Sequence, residues 1–350
     1  MLPIIDMALA DDPATKPQLL AALKDALFRI GFLYLTHHGA ESEAAAIMQI
    51  SPEMFKVPLD EKLRIAMTTN PHFLGYTGIG AEKTQQKIDW REQYDFGSAT
   101  DSNYRPGDPQ WKQLQGPSQF IHAKFLPRSE EIIVGYLNAM ERVSTRLLHL
   151  VAESLNLSST EFDQFKGEMH RLKIVRYPAS DKPNVGQGVG PHKDSSGMFT
   201  YVLQDAHRGL QVLGSDGEWI DAVPIPGSLV VNIAQGFEAL TGGRCTATTH
   251  RVISPAAGIT RYSIPYFQGI RLDLTVDAIN AHVDLINDAI AEAPEDLNRR
   301  ERGVQSEFLD PKYKCFGEAH LRNRIISHSD VAAVWYPDLK VKYLAELKTV

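Results

Sequence analysis

His192, Asp194 and His250 are the residues of this chain whose types and spacing suit a metal. His192-Lys193-Asp194 is a His-x-Asp in a strand-like stretch, and His250 opens a second strand-like run 56 residues after Asp194. Two imidazoles and one carboxylate on one face of an iron leave the opposite face open for a bidentate ligand and O2. Zinc also accepts two histidines and an acid. Arg261-Tyr262-Ser263 lies eleven residues beyond His250. Strand residues i and i+2 share a face, so Arg261 and Ser263 point the same way, into the space that His250 lines if the two strands are neighbours. A guanidinium fork beside a hydroxyl is a carboxylate clamp, which argues against a zinc hydrolase. Tyr177 closes the apolar run from Leu172. Its hydroxyl is either a third contact to that carboxylate or the polar tip of a core tyrosine.

A His-x-Asp alone says little, because the chain has three: His192/Asp194, His282/Asp284 and His328/Asp330. The pair shares a face on a strand but not on a helix. His282 lies in a stretch of helical spacing, and no histidine follows His328. Both read as surface histidines near surface acids. His192 alone has a strand-like surround, a distal histidine and a following Arg-x-Ser.

The elements that must position these groups follow from periodicity. Apolar spacing predicts helices over Lys16–Ile30, ended by Gly31, and over Glu41–Phe55, with a short third one starting near Val57. A long helix is expected over Pro127–Leu155. Leu2–Asp6, Phe32–Thr36 and Trp90–Phe96 read as strands, Phe73–Gly80 as a glycine-rich loop and Asn103–Pro117 as irregular. From His170 the texture changes to short β-rich runs: Leu172–Tyr177, Phe199–Gln204, Leu210–Leu213, Trp219–Ala222, Leu229–Asn232, His250–Ile253 and Tyr262–Phe267. Many short strands with turn residues between them predict a jelly-roll core. Leu274–Ala293 is expected to be helical, Glu295–Arg302 a charged solvated stretch, and Ala319–Val350 a helix with an extension. The expected division is 1–165, a helical and mixed region that does not fold alone; 166–272, the β core; and 273–350, a helical extension packed on it.

Composition excludes several classes. With 350 residues, 43% of them hydrophobic, the chain can bury a sizeable core. A net charge of -7 without a basic stripe argues against nucleic acid as a partner. Two cysteines, Cys245 and Cys315, suggest a reducing compartment and no disulfide framework. The N-terminus lacks a signal-peptide pattern and no run is long enough for a membrane span, so a cytoplasmic protein is expected.

Taken together the residues resemble the isopenicillin N synthase-like family of Fe(II)- and 2-oxoglutarate-dependent oxygenases. The likeness runs from about Leu2 to Ile270. It rests on Leu-Pro-Ile-Ile-Asp at the start, Gly31-Phe-Leu-Tyr-Leu with His38-Gly39, and Phe55, Pro58 and Glu61-Lys62. Arg-Tyr-Pro at 176–178, Gly190-Pro-His-Lys-Asp, Leu203-Gln-Asp, Gly209-Leu-Gln-Val and Gly217-Glu-Trp-Ile follow. Pro226-Gly-Ser-Leu-Val-Val-Asn-Ile, Leu240-Thr-Gly-Gly-Arg, His250-Arg-Val and Arg261-Tyr-Ser complete the run in family order.

The resemblance implies an α+β fold, a distorted double-stranded β-helix flanked by helices. It implies that His192, Asp194 and His250 bind Fe(II), and that Arg261 and Ser263, assisted by Tyr177, hold the distal carboxylate of 2-oxoglutarate. Phe267 stands where the family has an aromatic over the substrate pocket, and the loop with Phe73 and Tyr76 matches a segment that covers substrate. The implied reaction uses O2 and 2-oxoglutarate to oxidise a small organic molecule, by hydroxylation, desaturation or ring closure, in a monomer. Lys193, Arg176 and the Ala234-Gln235-Gly236 turn depart from the family pattern. Two alternatives stay open at this stage: an Fe(II) oxidase that needs no 2-oxoglutarate, and a zinc-containing or metal-free jelly-roll binding protein.

Overall fold

The computed structural model describes residues 2–347 apart from 85–86, 99–100, 182–186, 196 and 291–311. Two sheets pack face to face. The larger orders its eight strands as β1 (Ile4–Asp6), β2 (Phe32–Thr36), β12 (Leu229–Ile233), β9 (Phe199–Gln204), β14 (Arg261–Phe267), β7 (Arg171–Tyr177), β6 (Glu92–Gly97) and β3 (Gly75–Thr77). The smaller orders four as β11 (Trp219–Asp221), β10 (Leu210–Leu213), β13 (His250–Ile253) and β8 (Gln187–His192). Only β1 and β2 pair in parallel. A two-stranded hairpin, β4 (Lys83–Thr84) and β5 (Lys87–Ile88), forms its own small sheet against β8, where Gln187 Nε2 donates to Thr84 O at 3.1 Å.

Strand alternation divides the larger sheet's side chains between two cores. Leu33, Leu35, Leu229, Val231, Tyr201, Ile264, Tyr266, Leu172 and Ile174 face the helices. Phe32, Tyr34, Val230, Val175 and Tyr177 face Val189, Leu210, Val212 and Val252 of the smaller sheet. The helical side is covered by α1 (Lys16–Arg29), α2 (Glu41–Lys56) and α4 (Ser129–Ser154), which bury Leu23, Leu27, Ile47, Met54, Tyr136, Met140 and Leu147. The result is the expected jelly-roll core with flanking helices.

Gly31 ends α1 as expected: its φ is 69° and its N–H donates to Ala26 O at 2.9 Å. The predicted β-runs recur as strands, and the chain adds β8, which ends on His192. A short helix, α5 (Gln235–Leu240), replaces the turn expected after Asn232. The Phe73–Gly80 segment is not simply loop, because Gly75–Thr77 pairs with β6 as an edge strand. There Gly75 has φ 122°, and a Cβ would lie 2.2 Å from Ile65 O. Within 103–117, Gln110–Leu114 forms a 3-10 turn. A helix is described over Val276–Ile290. Glu295–Arg302 lies outside the described residues. The C-terminal stretch folds as three helices, Phe316–Ser327, Ser329–Trp335 and Pro337–Glu346, rather than one. Because β1, β2, β3 and β6 come from residues before 100, the first region is woven into the main sheet.

The short helix α3 (Leu59–Arg64) is tied down by Glu61. Its carboxylate accepts from Arg64 Nε at 3.0 Å, from Arg64 Nη2 at 2.7 Å and from the His122 N–H at 2.7 Å. The Arg64 bonds, with help from the backbone bond, hold its pKa down to about 2. A depressed folded pKa stabilises above the unfolded value and loses that stability as pH falls through the folded one. Glu61→Gln is therefore expected to cost about 1 kcal/mol at pH 7, a modest figure because Arg64 is half in solvent. In urea titrations the difference from wild type should shrink between pH 4.5 and 2; a pH-independent difference would contradict this account.

Candidate metal centre

The two histidines are set by strand pairing. β13 and β8 run antiparallel with His250 directly opposite His192, and their rings lie 4.3 Å apart between centroids. His192 Nδ1 donates to Gly190 O at 2.8 Å, and His250 Nδ1 donates to Thr248 O at 3.0 Å. A carbonyl only accepts, so each Nδ1 carries the proton and each Nε2 keeps its lone pair for a metal. Asp194 lies just past the end of β8, in a turn rather than in the strand. Its Oδ1 is 3.6 Å from each Nε2. Its Oδ2 accepts from Asn232 Nδ2 at 2.8 Å. The three ligand atoms fall within 4.8 Å of one another, and no other such group of three occurs among the described residues.

The electrostatics suit a cation. Burial pushes the Asp194 carboxyl up, but His250, His192 and the Asn232 bond together hold it well below the usual carboxylate range. Burial, and then His192, push His250 down to about 4. An ionised acid beside two imidazoles is the donor set Fe(II) takes.

A cavity of about 840 Å³ opens on these groups. Tyr177, Arg261, Ser263 and Phe267 all line it. Arg261 is fully buried. Its Nη2 donates to Gln204 Oε1 at 2.9 Å and its Nε to His207 O at 3.2 Å, and its plane lies 5.2 Å from the Tyr177 ring. Among the described residues its Nη1 has no hydrogen-bond partner. A buried guanidinium held on two nitrogens and orphaned on the third fits a ligand carboxylate. Arg261 and His250 are not on neighbouring strands, however. β14 lies between β9 and β7 in the larger sheet, while β13 is in the smaller, so the two groups meet across the sandwich.

Other expected positions lie elsewhere. Phe73 is fully buried, stacked on Tyr336 and edge-on to His328. The Tyr76 hydroxyl donates to Glu92 Oε2 at 2.6 Å. Neither side chain lines the cavity; both are spent on packing the edge of the sheet. Glu82, Lys83 and Thr84, a few residues on, do line it. Arg176 pairs with Glu92 across β7 and β6 at 2.7 Å, and Lys193 with Glu238 at 3.2 Å. His282 and His328 are buried rather than on the surface, against Phe165 and Phe73, while Asp284 and Asp330 face solvent. In each of those pairs the two side chains point apart.

Sequence reasoning missed Asn232, Gln204 and the C-terminal residues Arg322, Arg324 and Ser327, of which all but Gln204 line the cavity. A polar residue inside the apolar run Leu-Val-Val-Asn-Ile was the available signal for Asn232. From sequence, the C-terminal helix is expected to help shape the pocket, but no local pattern singles out which of its side chains line it.

Fold and donor set together define a jelly-roll metal enzyme. Residues 2–123 match the family model described as non-haem dioxygenase in morphine synthesis N-terminal, and residues 169–270 that of the 2OG-Fe(II) oxygenase superfamily. The chain is 39% identical to the 2-oxoglutarate-dependent dioxygenase frbJ of Dothideomycetidae sp. (strain 11243), over 97% of this chain and 93% of that protein. It is 31% identical to the homoarginine-6-hydroxylase 2-ODD-C23.1 of Arabidopsis thaliana, over 80% and 87%. The fold is similar to that of a full-length Neurospora crassa protein solved in complex with alpha-KG, with a TM-score of 0.71 at 24% identity, covering 95% of this chain and 96% of that one. The chain belongs to the 2OG-Fe(II) oxygenase superfamily, as an Fe(II)- and 2-oxoglutarate-dependent dioxygenase.

The three His-x-Asp pairs give a direct check. Asp194→Ala is expected to abolish stoichiometric Fe(II) binding in anaerobic equilibrium dialysis, whereas Asp284→Ala and Asp330→Ala should bind as wild type. Equal losses in all three variants would defeat the assignment.

Proposed function

We propose that His192, Asp194 and His250 hold the Fe(II), and that Arg261, with Ser263 and Tyr177 beside it, receives the distal carboxylate of 2-oxoglutarate. The observation that carries this reading is the orphaned Arg261 Nη1, buried in the same cavity as the three ligands. Bound Fe(II) supplies the redox chemistry that couples O2 reduction to decarboxylation of 2-oxoglutarate and oxidation of a substrate C–H bond. The balance is 2-oxoglutarate, O2 and R–H going to succinate, CO2 and R–OH.

The chain's own residues orient and exclude. Gly190 O and Thr248 O fix both imidazole rings. Asn232 occupies one oxygen of Asp194, leaving the other toward the metal position. Gln204 and His207 O aim the guanidinium, so the co-substrate enters in one orientation. Val175, Val189, Val202, Leu210 and Val252 keep the wall between them apolar.

A cavity of this volume suits a small organic metabolite, and hydroxylation is the favoured outcome. The hydroxylase name of the Arabidopsis relative supports that choice. A chain with only two cysteines supports a reducing, cytoplasmic setting. Among the described residues no helix is long and apolar enough to cross a membrane.

Arg261→Gln tests the clamp. Removing one partner of a buried charge pair costs about 3 kcal/mol, so the KM for 2-oxoglutarate should rise about a hundredfold in a succinate-release assay. Fe(II) binding should be unchanged. An unaltered KM would remove Arg261 from the co-substrate site, and O2 uptake that does not need 2-oxoglutarate would overturn the reading as a whole.

A further inference from the structure

The Fe(II) and 2-oxoglutarate reading leaves one charged end of the cavity unused. Alternation along β7 turns Lys173, Val175 and Tyr177 into the cavity, and along β14 it turns Arg261, Ser263, Pro265 and Phe267. The strands are antiparallel, with Arg261 opposite Tyr177 and Phe267 opposite Arg171. Tyr177 and Arg261 therefore mark one end of the wall, and Lys173 and Phe267 the other. Tyr177 lies four residue steps along the strand from Lys173, about 13 Å of backbone. The carboxyl carbons of 2-oxoglutarate are only about 5 Å apart at ~1.5 Å per bond. One molecule of co-substrate does not reach both ends.

Arg324 of the helix Phe316–Ser327 lines the same cavity and is 8% exposed. Among the described residues its guanidinium forms no hydrogen bond, and its one ion pair is with Asp95 Oδ1 at 3.8 Å. That acid is shared: Gln93 Nε2 donates to its Oδ2 at 2.7 Å, and Lys173 Nζ lies 3.6 Å from the Oδ1 that faces Arg324. Lys173 also reaches Glu82 at 3.3 Å, and Glu82 and Asp89 share Arg91 at 2.8 and 3.4 Å. Arg171 adds a buried cation whose bonds go only to the carbonyls of His72, Phe73 and Leu114. Among the described residues, Arg91, Arg171, Lys173 and Arg324 thus face only Glu82, Asp89 and Asp95. The excess is felt nearby: burial, and then Arg324, bring Arg171 down to about 9. A guanidinium withdrawn from water on a cavity wall, with no hydrogen bond of its own, has its fork open to an anion.

We propose that Arg324, with Lys173 beside it through Asp95, is a second anion clamp that takes a carboxylate of the substrate. The substrate is then an amphipathic acid whose apolar part runs along Val175, Pro265 and Phe267 toward the metal. The planar fork of Arg324 matches a carboxylate, and Lys173 adds charge without geometry. The proposal rests on the Fe(II) and 2-oxoglutarate reading, and its test separates the two.

The test uses the full chain, anaerobic, with Fe(II) and saturating 2-oxoglutarate. The probes are straight-chain acids from butanoate to octanoate, benzoate, phenylacetate and 3-phenylpropanoate, each against its primary amide. Binding is read from perturbation of the weak visible charge-transfer band. At least one acid should bind about tenfold or more tightly than its amide, as a hydrogen-bonded charge pair gives. Arg324→Gln should reduce that acid to the level of its amide while leaving the band of the 2-oxoglutarate complex unchanged, and Arg324→Lys should recover part of the difference. Acids and amides binding alike across the panel would overturn the proposal. So would undiminished acid binding by Arg324→Gln, loss of the band itself in that variant, or displacement of the acid by further 2-oxoglutarate. Absence of the band in wild type would instead sink the underlying reading.

Discussion

The pairing of β8 with β13 is the constraint on which the centre depends. It brings His192 and His250 face to face with 4.3 Å between ring centroids, and no later adjustment of side chains substitutes for that register. Strand side chains alternate with a period of two, so a slip of one residue would turn His250 into the opposite face and send its neighbour inward. The β13–β8 ladder is irregular just beyond His250, with register shifts between His250, Val252 and Ile253. Irregularity is tolerated there because both imidazoles are pinned again by backbone carbonyls, Gly190 O and Thr248 O. The larger sheet contributes the other half: Asn232 from β12 orients Asp194, and Arg261 from β14 looks back from across the sandwich. The centre is therefore a property of two sheets held at packing distance, with Val175, Val189, Leu210 and Val252 filling the gap between them.

Much of this was legible in sequence because it depends on short-range periodicity. Phe199–Gln204, Leu210–Leu213 and His250–Ile253 each alternate or run apolar between turn residues, and each forms a strand with those bounds. The His192 pair stood out from its two decoys by strand context, and those decoys do lie in or beside helices. What local pattern does not contain is which strand lies beside which. Sequence puts Arg261 in the space His250 lines only if their strands are neighbours, and they are not: Arg261 reaches that space from the facing sheet. The burial of His282 and His328 depends on Phe165 and Phe73, far away in the chain. The glycines of Phe73–Gly80 read as a loop, and only the resemblance makes it a cover, yet Gly75 is there because a Cβ on this edge strand would sit 2.2 Å from Ile65 O.

The cavity also concentrates charge that a stable core does not require. Arg261, Lys173, Arg324, Glu82 and Arg91 are withdrawn from water on its walls, with Asp95 buried behind them, and burying ion pairs costs more than packing apolar groups of similar size. Arg261 is the sharpest instance, with two nitrogens anchored and the third left without a partner. A site arranged in this way holds its donors in place before the ligand arrives, so little reorganisation is needed when it does.

The central claim is that one ion sits between His192, Asp194 and His250 while a dicarboxylate reaches from it to Arg261. Anomalous scattering at the iron edge, from crystals grown anaerobically with Fe(II) and 2-oxoglutarate, tests it most directly. The account predicts a single peak bonded by both Nε2 atoms and Asp194 Oδ1, with the far carboxylate of the co-substrate hydrogen-bonded to Arg261 Nη1. A peak bonded by other residues, or a co-substrate whose distal end lies away from Arg261, would contradict it.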